Sequence, residues 1–350
     1  MRCKAEHSII FQRCRQGALR RRRPNRVCGR GYHAGMFSYR HAFHAGNHAD
    51  VLKHLTLIAT LRHLMRKDAP LTLVDTHAGA GIYRLDADAA QTSGEAMAGI
   101  ARLQSWQGGA TELAPALADY LELIARFNPG TPWRIYPGSP LVMHALMDEA
   151  GRAPVHDRLK LFELHPTDAQ ALQAHVEQLQ AGRRVSVARQ DGFAALKALL
   201  PPPAAAGGSR RALVLIDPSY EIKSDYAKVA AAVQDGLKRF ATGVYLVWYP
   251  VIGRPEAHAL PRRLKTLATQ AGRGWLHATL SIGAPSTHVA STVAARAAGA
   301  EAPRPGLLAS GMFVINPPHS LAAGLRAALP QVLAALGRGR GQAYAVEADG

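Results

Sequence analysis

The 350 residues carry 42 Lys and Arg against 25 Asp and Glu, a formal net charge of +17, and 48% of them are hydrophobic. That composition fills one large core or two small ones, and the basic excess favours a polyanionic partner. No run approaches the roughly 18 apolar residues of a membrane span, the N-terminus lacks the apolar segment of a secretory signal, and all three cysteines (Cys3, Cys14, Cys28) fall in the first 35 residues. A disulfide framework or a cysteine metal site in the body is therefore excluded, and a cytoplasmic protein without a membrane partner fits.

Residues 1–35 hold ten Lys/Arg and a single acid, Glu6, and the composition breaks at Met36. This stretch reads as a disordered basic extension outside the fold. It is either an RNA-binding arm or translated upstream sequence with Met36 as the real start. The segment from Phe37 to Asp50 is polar and aromatic, too irregular for a regular element. Asp50 is then placed to cap a helix running to about Arg66, with Leu52, Leu55, Ile58, Leu61 and Leu64 at helical spacing.

Beyond it, short apolar runs alternate with helical patterns. Strands are expected at Leu71–Asp75, Leu159–Leu164, Arg184–Ala188, Ala212–Asp217 and Val244–Tyr249, with Trp275–Ile282 and Met312–Ile315 as a terminal pair. Apolar on both faces and separated by helices, they predict an α/β fold with a mostly parallel sheet covered on both sides. The long interval between the first two strands predicts a small helical insertion near residues 86–135, with helices at Glu112–Phe127 and at Pro140–Ala150 capped by Ser139. The Ala/Gly/Pro-rich stretch from Ala284 to Pro305 reads as a surface loop, and residues 337–350, which begin Gly-Arg-Gly-Arg-Gly, read as a disordered tail after a domain spanning 36–336.

Four strand ends carry chemistry. Asp75-Thr-His-Ala-Gly-Ala-Gly81 follows the first strand, where glycines let backbone approach a ligand. It lacks the third glycine of a dinucleotide fingerprint, which argues against NAD, and an Asp before the glycines suits a cofactor with a charged amino-acid end. Glu163, near the end of the second strand, is placed to accept the two ribose hydroxyls of a nucleoside, unless it is simply a surface carboxylate. Asp191-Gly192, after the third, offers an acceptor for an adenine amino group, or merely a helix cap.

The strongest signal is Leu213-Val-Leu-Ile-Asp-Pro-Ser-Tyr220. An exocyclic amine donates its lone pair into the ring and is a poor nucleophile. A carboxylate at Asp217 and the carbonyl of Pro218 can accept its two hydrogens and turn the lone pair toward an electrophilic methyl group. Proline fixes that carbonyl, and Tyr220 offers a ring for a base that must be unstacked to reach the pocket. The clustered His41, His44, His48 and His54 lack the His-Glu-x-x-His spacing of a zinc site, so they read as structural or as lining a cofactor or RNA site. No metal is expected.

Taken together, Tyr39-Arg-His-Ala-Phe-His-Ala-Gly-Asn-His-Ala-Asp-Val-Leu-Lys-His54, Asp75–Gly81, Tyr136-Pro-Gly-Ser-Pro140, Glu163-Leu-His-Pro166, Asp191-Gly-Phe193, Asp217-Pro-Ser-Tyr-Glu221, Trp248-Tyr-Pro250 and Ser310–Pro318 closely resemble the bacterial RlmJ family of 23S rRNA adenine-N6 methyltransferases. The resemblance runs from Met36 to about Pro318. It implies a Rossmann-like class I methyltransferase fold with a seven-stranded sheet, S-adenosylmethionine as cofactor, 23S rRNA as partner and a monomeric protein. Carried over by position, it implies that His54, His77, Ser139, Glu163, Asp191, Gly192 and Asp217 contact the cofactor, that Asp217 is catalytic, and that Tyr39 lies by the target adenine. The family pattern is Asp-Pro-Pro-Tyr, and here Ser219 replaces its second proline. Two rivals stay open at this point: methylation of DNA adenine, and an RNA-binding protein that keeps the fold without the activity.

Overall fold

The computed structural model describes residues 41–106, 112–149, 157–204, 208–284 and 306–349. Eight strands form the main sheet: β1 (Thr72–Asp75), β4 (Arg158–Phe162), β5 (Val185–Ala188), β6 (Ala212–Ile216), β7 (Val244–Pro250), β8 (Trp275–Ala284), β9 (Ala309–Ile315) and β10 (Arg340–Ala348). Two short strands, β2 (Ile82–Arg84) and β3 (Ile135–Pro137), pair separately as an antiparallel ribbon. The main sheet runs in the order β10-β8-β9-β7-β6-β1-β4-β5. The five strands from β5 to β7 are parallel, and β9 runs antiparallel to both β7 and β8.

Alternation along the strands feeds two cores. Leu73, Leu159, Leu161, Leu213, Leu215 and Leu246 face one side, packed with the helices His48–Leu64, Ser139–Glu149 and Leu321–Leu336. Val74, Val214, Ile216, Tyr245 and Val247 face the other, under the helices Gly192–Leu199, Ser224–Arg239 and Pro255–Gln270. All five residues of β6 are buried, as its uninterrupted apolar sequence requires of a central parallel strand.

Among the described residues, four helices (Asp88–Ser93, Glu95–Ala98, Ile100–Ser105 and Pro115–Arg126) lie between β2 and β3. Arg62, at the end of the first long helix, ion-pairs with both Asp119 and Glu149 and so fastens Pro115–Arg126 to the body. Gly99 sits where a Cβ would lie 2.1 Å from the carbonyl oxygen of Gly46, so these helices rest directly on the backbone of the turn that precedes His48.

Three expectations change. Among the described residues the sheet has eight strands in place of seven. The eighth is β10, in the segment 337–350 expected to be a disordered tail: it pairs antiparallel with β8 from Arg340 to Ala348. Gly339 and Gly341 supply left-handed backbone at its start (φ 116° and 82°), and an edge strand held by backbone hydrogen bonds needs few apolar side chains. The cap of the first long helix is Asn47, whose side chain accepts from the N–H groups of Ala49 and Asp50, and Asp50 itself is buried within the helix. Tyr39, the extension 1–35 and most of the loop 284–305 lie outside the described residues.

Candidate active site

The strand order reverses between β1 and β6, where βα loops diverge to opposite faces and leave a crevice at the carboxyl ends of the strands. A cleft of about 190 Å³ opens there. Its walls include His54 from the first helix, His77 and Gly79 after β1, Ser139 after β3, Glu163 after β4, and Asp217 with Pro218 after β6.

The floor is an ion-pair chain. Lys53 Nζ lies 2.6 Å from Asp217 Oδ2 and 2.7 Å from Asp50 Oδ1. Asp50 Oδ2 accepts in turn from His41 Nε2 at 3.0 Å and from the N–H of Gly46 at 2.8 Å. Burial opposes the Lys53 charge, but Asp217 and Asp50 outweigh it and hold the pKa well above the usual lysine value. Burial likewise opposes ionisation of Asp50, and His41 and Lys53 pull its pKa well below the ordinary carboxylate range. One cation thus joins a carboxylate of the first long helix to one that follows the central strand.

The loop after β6 is pinned from behind. Tyr220 takes a left-handed conformation (φ 54°), and its hydroxyl donates to the carbonyl of Trp248 on β7 at 2.7 Å. Its ring packs against Tyr226 and Trp248 and is 2% exposed. The expected base-stacking face is therefore turned into the core: proline fixes the entry to the loop, and the positive φ that follows swings the tyrosine inward. The guanidinium of Arg254, from the segment after β7, donates to the carbonyls of Tyr220 at 2.9 Å and Glu221 at 3.4 Å. Ser219 and Pro218 remain at the cleft wall.

The groups on the cofactor side are held with capacity to spare. Glu163 Oε2 accepts from Gly79 N–H at 2.8 Å and Oε1 from His165 N–H at 2.7 Å. A carboxylate has about four acceptor sites, so two stay open for a diol. Burial raises the Glu163 pKa against those two N–H bonds. His54 Nδ1 hydrogen-bonds the Tyr136 hydroxyl at 2.8 Å, while Nε2 is buried without a partner among the described residues. Burial pushes the His54 pKa down to about 3, so the ring is neutral. His77, also neutral with its pKa lowered by burial to about 4, sits beside Thr76, whose hydroxyl donates to Leu215 O. His77 Nδ1 therefore donates to Thr76 Oγ1 (2.8 Å) and Nε2 is left as an acceptor.

Two expected residues stand apart from the cleft wall. Asp191 caps the helix Gly192–Leu199, with Oδ1 taking both N–H bonds (Phe193 at 2.8 Å, Ala194 at 3.2 Å) and Oδ2 outside that cap. Gly192 is buried where a Cβ would fall 2.1 Å from Thr76 O, so close packing of this helix on the β1 loop demands glycine there. Ser139 lines the cleft, but its hydroxyl is given to Asp75 at 2.6 Å. Sequence reading left out Lys53 and Arg254, gave Asp50 only a capping role, and had His41 only as one of a histidine cluster read as structural or as lining a cofactor or RNA site. The three-residue spacing of Asp50 and Lys53 on one helix was the available signal for Lys53. Nothing local marks Arg254.

The order β5-β4-β1-β6-β7-β9-β8 with β9 reversed, the glycine loop after β1 and the carboxylates after β4 and β6 define a class I S-adenosylmethionine-dependent methyltransferase fold, here extended by β10. The family model described as "Ribosomal RNA large subunit methyltransferase D, RlmJ" matches residues 68–347, and the chain belongs to that family. It is 41% identical over 295 residues to the Ribosomal RNA large subunit methyltransferase J of Escherichia coli (strain K12), covering 84% of this chain and 92% of that one. It is 38% identical over 296 residues to the protein of the same name from Haemophilus influenzae, with the same coverage. Among solved structures, protein LPL1258 from Legionella pneumophila superposes with a TM-score of 0.68 at 29% identity, covering 87% of this chain and 98% of that one.

Proposed function

We propose that this protein transfers a methyl group from S-adenosylmethionine to the exocyclic N6 of an adenine in 23S rRNA. The observation that carries this reading is the Lys53–Asp217 pair at the mouth of an Asp-Pro-Ser-Tyr loop, across a cleft from the anchored carboxylate of Glu163. The donor set fits the cofactor. Glu163 keeps acceptors for the ribose diol, Asp191 Oδ2 is available to an adenine amino group, and the unpartnered His54 Nε2 and the acceptor His77 Nε2 suit the amino-acid end.

When bound, S-adenosylmethionine supplies an electrophilic methyl group on a sulfonium. The protein's own contribution is positioning and charge. Lys53 occupies one oxygen of Asp217, which fixes the carboxylate and directs its remaining acceptor capacity at the incoming amine. Pro218 presents its carbonyl to the second amine hydrogen. With both hydrogens held, the nitrogen lone pair is turned out of the ring. The methylated amine is acidic and loses its proton to Asp217 or to water. Tyr220 and Arg254 serve this arrangement from behind by fixing the loop, and Tyr39 is assigned to the target base by its place in the family motif.

Substrate choice is tested by offering labelled cofactor with matched protein-free 23S rRNA and DNA oligonucleotides. Label at adenine N6 in the RNA alone supports the reading. Label in DNA alone assigns the protein to the other polymer.

A further inference from the structure

Two depressions are linked through the segment 41–47, which supplies His41 to one and bonds Glu95 of the other through His44 and Asn47. The first is the cleft, whose wall includes His41. The second is lined by Ser93, Gly94, Glu95 and Arg102 from the insertion and by Gly337 and Arg338 at the approach to β10. Glu95 is committed to the turn: it accepts from Asn47 Nδ2 at 2.8 Å and from His44 Nδ1 at 3.0 Å. Neither guanidinium has a hydrogen-bond or ion-pair partner among the described residues, although Arg338 is only half-exposed. Two guanidiniums without a partner among the described residues therefore line one concavity whose carboxylate, Glu95, is already hydrogen-bonded to Asn47 and His44, and Gly94 there has open space around it. Phe43 and Met97, 40% and 64% exposed, stand on the same turn and insertion.

We propose that Arg102 and Arg338 form a phosphate-binding shelf for the RNA strand that flanks the target adenine. The inference rests on the reading of the protein as an RNA methyltransferase. Guanidinium forks match phosphate oxygens bidentately. A base drawn out of its stack into the cleft leaves its neighbouring phosphates at the protein surface, and a shelf one turn away holds them while contributing no sequence information. The insertion and the approach to β10 thus acquire a shared role, since each supplies one of the two cations.

The test uses the full-length protein, fluorescently labelled protein-free 23S rRNA fragments and a NaCl series. R102A/R338A is expected to weaken RNA binding about tenfold and to lower the slope of log affinity against log salt by about 1.4, at about 0.7 per phosphate of single-stranded RNA. The KM for S-adenosylmethionine and kcat at saturating RNA should stay at wild-type values, and R102K/R338K should restore most of the slope. If the alanine variant matches wild type in affinity and slope while both methylate RNA, the shelf is overturned and the functional reading stands. If wild type neither binds nor methylates RNA, both fall together.

Discussion

Lys53 and Asp217 are 164 residues apart in sequence, and their side chains meet at 2.6 Å beneath the cleft. The contact joins the first long helix to the end of the central strand and places a buried cation against the carboxylate assigned to the target amine. Lys53 is 6% exposed and Asp217 14%, so the pair is only weakly screened by water. Removing Lys53 leaves Asp50 and Asp217 facing each other without the cation that bridges them. Lys53→Ala is expected to lose about 3–5 kcal/mol of stability and at least a hundredfold in methyl transfer, read by denaturant titration and by steady-state kinetics. A variant with wild-type stability and rate would show that the pair has no role.

Arg254 is expected to act through the loop it holds. With its bonds to the carbonyls of Tyr220 and Glu221 removed, Arg254→Ala should lower kcat by about ten- to a hundredfold, because small misplacements of reacting groups are costly. The cofactor dissociation constant should not change. Arg254→Lys keeps one donor and should recover part of kcat. Equal losses in kcat and in cofactor affinity would point to general disruption of the fold.

Tyr220→Phe separates a buried support from a stacking surface. The phenyl ring would serve a stacked base as well as the phenol does. The structure gives the hydroxyl a specific partner in Trp248 O, and its loss should cost about 1–3 kcal/mol through the unsatisfied carbonyl, with a lower kcat. Unchanged stability and rate would return Tyr220 to the role of a base platform.

Asp75 gives a pH dependence. Burial, followed by the nearby Asp217 charge, raises its pKa from 3.8 to about 7, against the bonds from Ser139 and His77 N–H. Because the folded state holds the proton more tightly than the unfolded chain, this group's contribution to stability is fully present below about pH 3.8 and is lost as pH rises through about 7. Stability of wild type relative to Asp75→Asn should therefore decline across that window. A difference that is flat with pH would contradict the assignment.

The sheet was legible because buried parallel strands write themselves as unbroken apolar runs, as in Ala212–Ile216, and because catalytic carboxylates follow such runs directly. Asp217, Glu163, His54, His77 and Pro218 were named from sequence and meet at one cleft. Lys53 was not, because its pair with Asp217 spans 164 residues and only its three-residue spacing from Asp50 is local. Tyr220 was assigned a face it does not present, since its burial depends on a left-handed turn and on distant partners, Tyr226 and Trp248. The strand Arg340–Ala348 was missed because Gly-Arg repeats resemble a linker while its pairing is carried by backbone atoms.

The most direct test of the central claim is single-turnover transfer of labelled methyl to protein-free 23S rRNA by wild type and Asp217→Asn, with cofactor binding measured by calorimetry on the same samples. Wild type is expected to label adenine N6, and the variant to do so at least about a hundredfold more slowly while cofactor binding changes no more than about tenfold. Transfer by Asp217→Asn at the wild-type rate would contradict that claim.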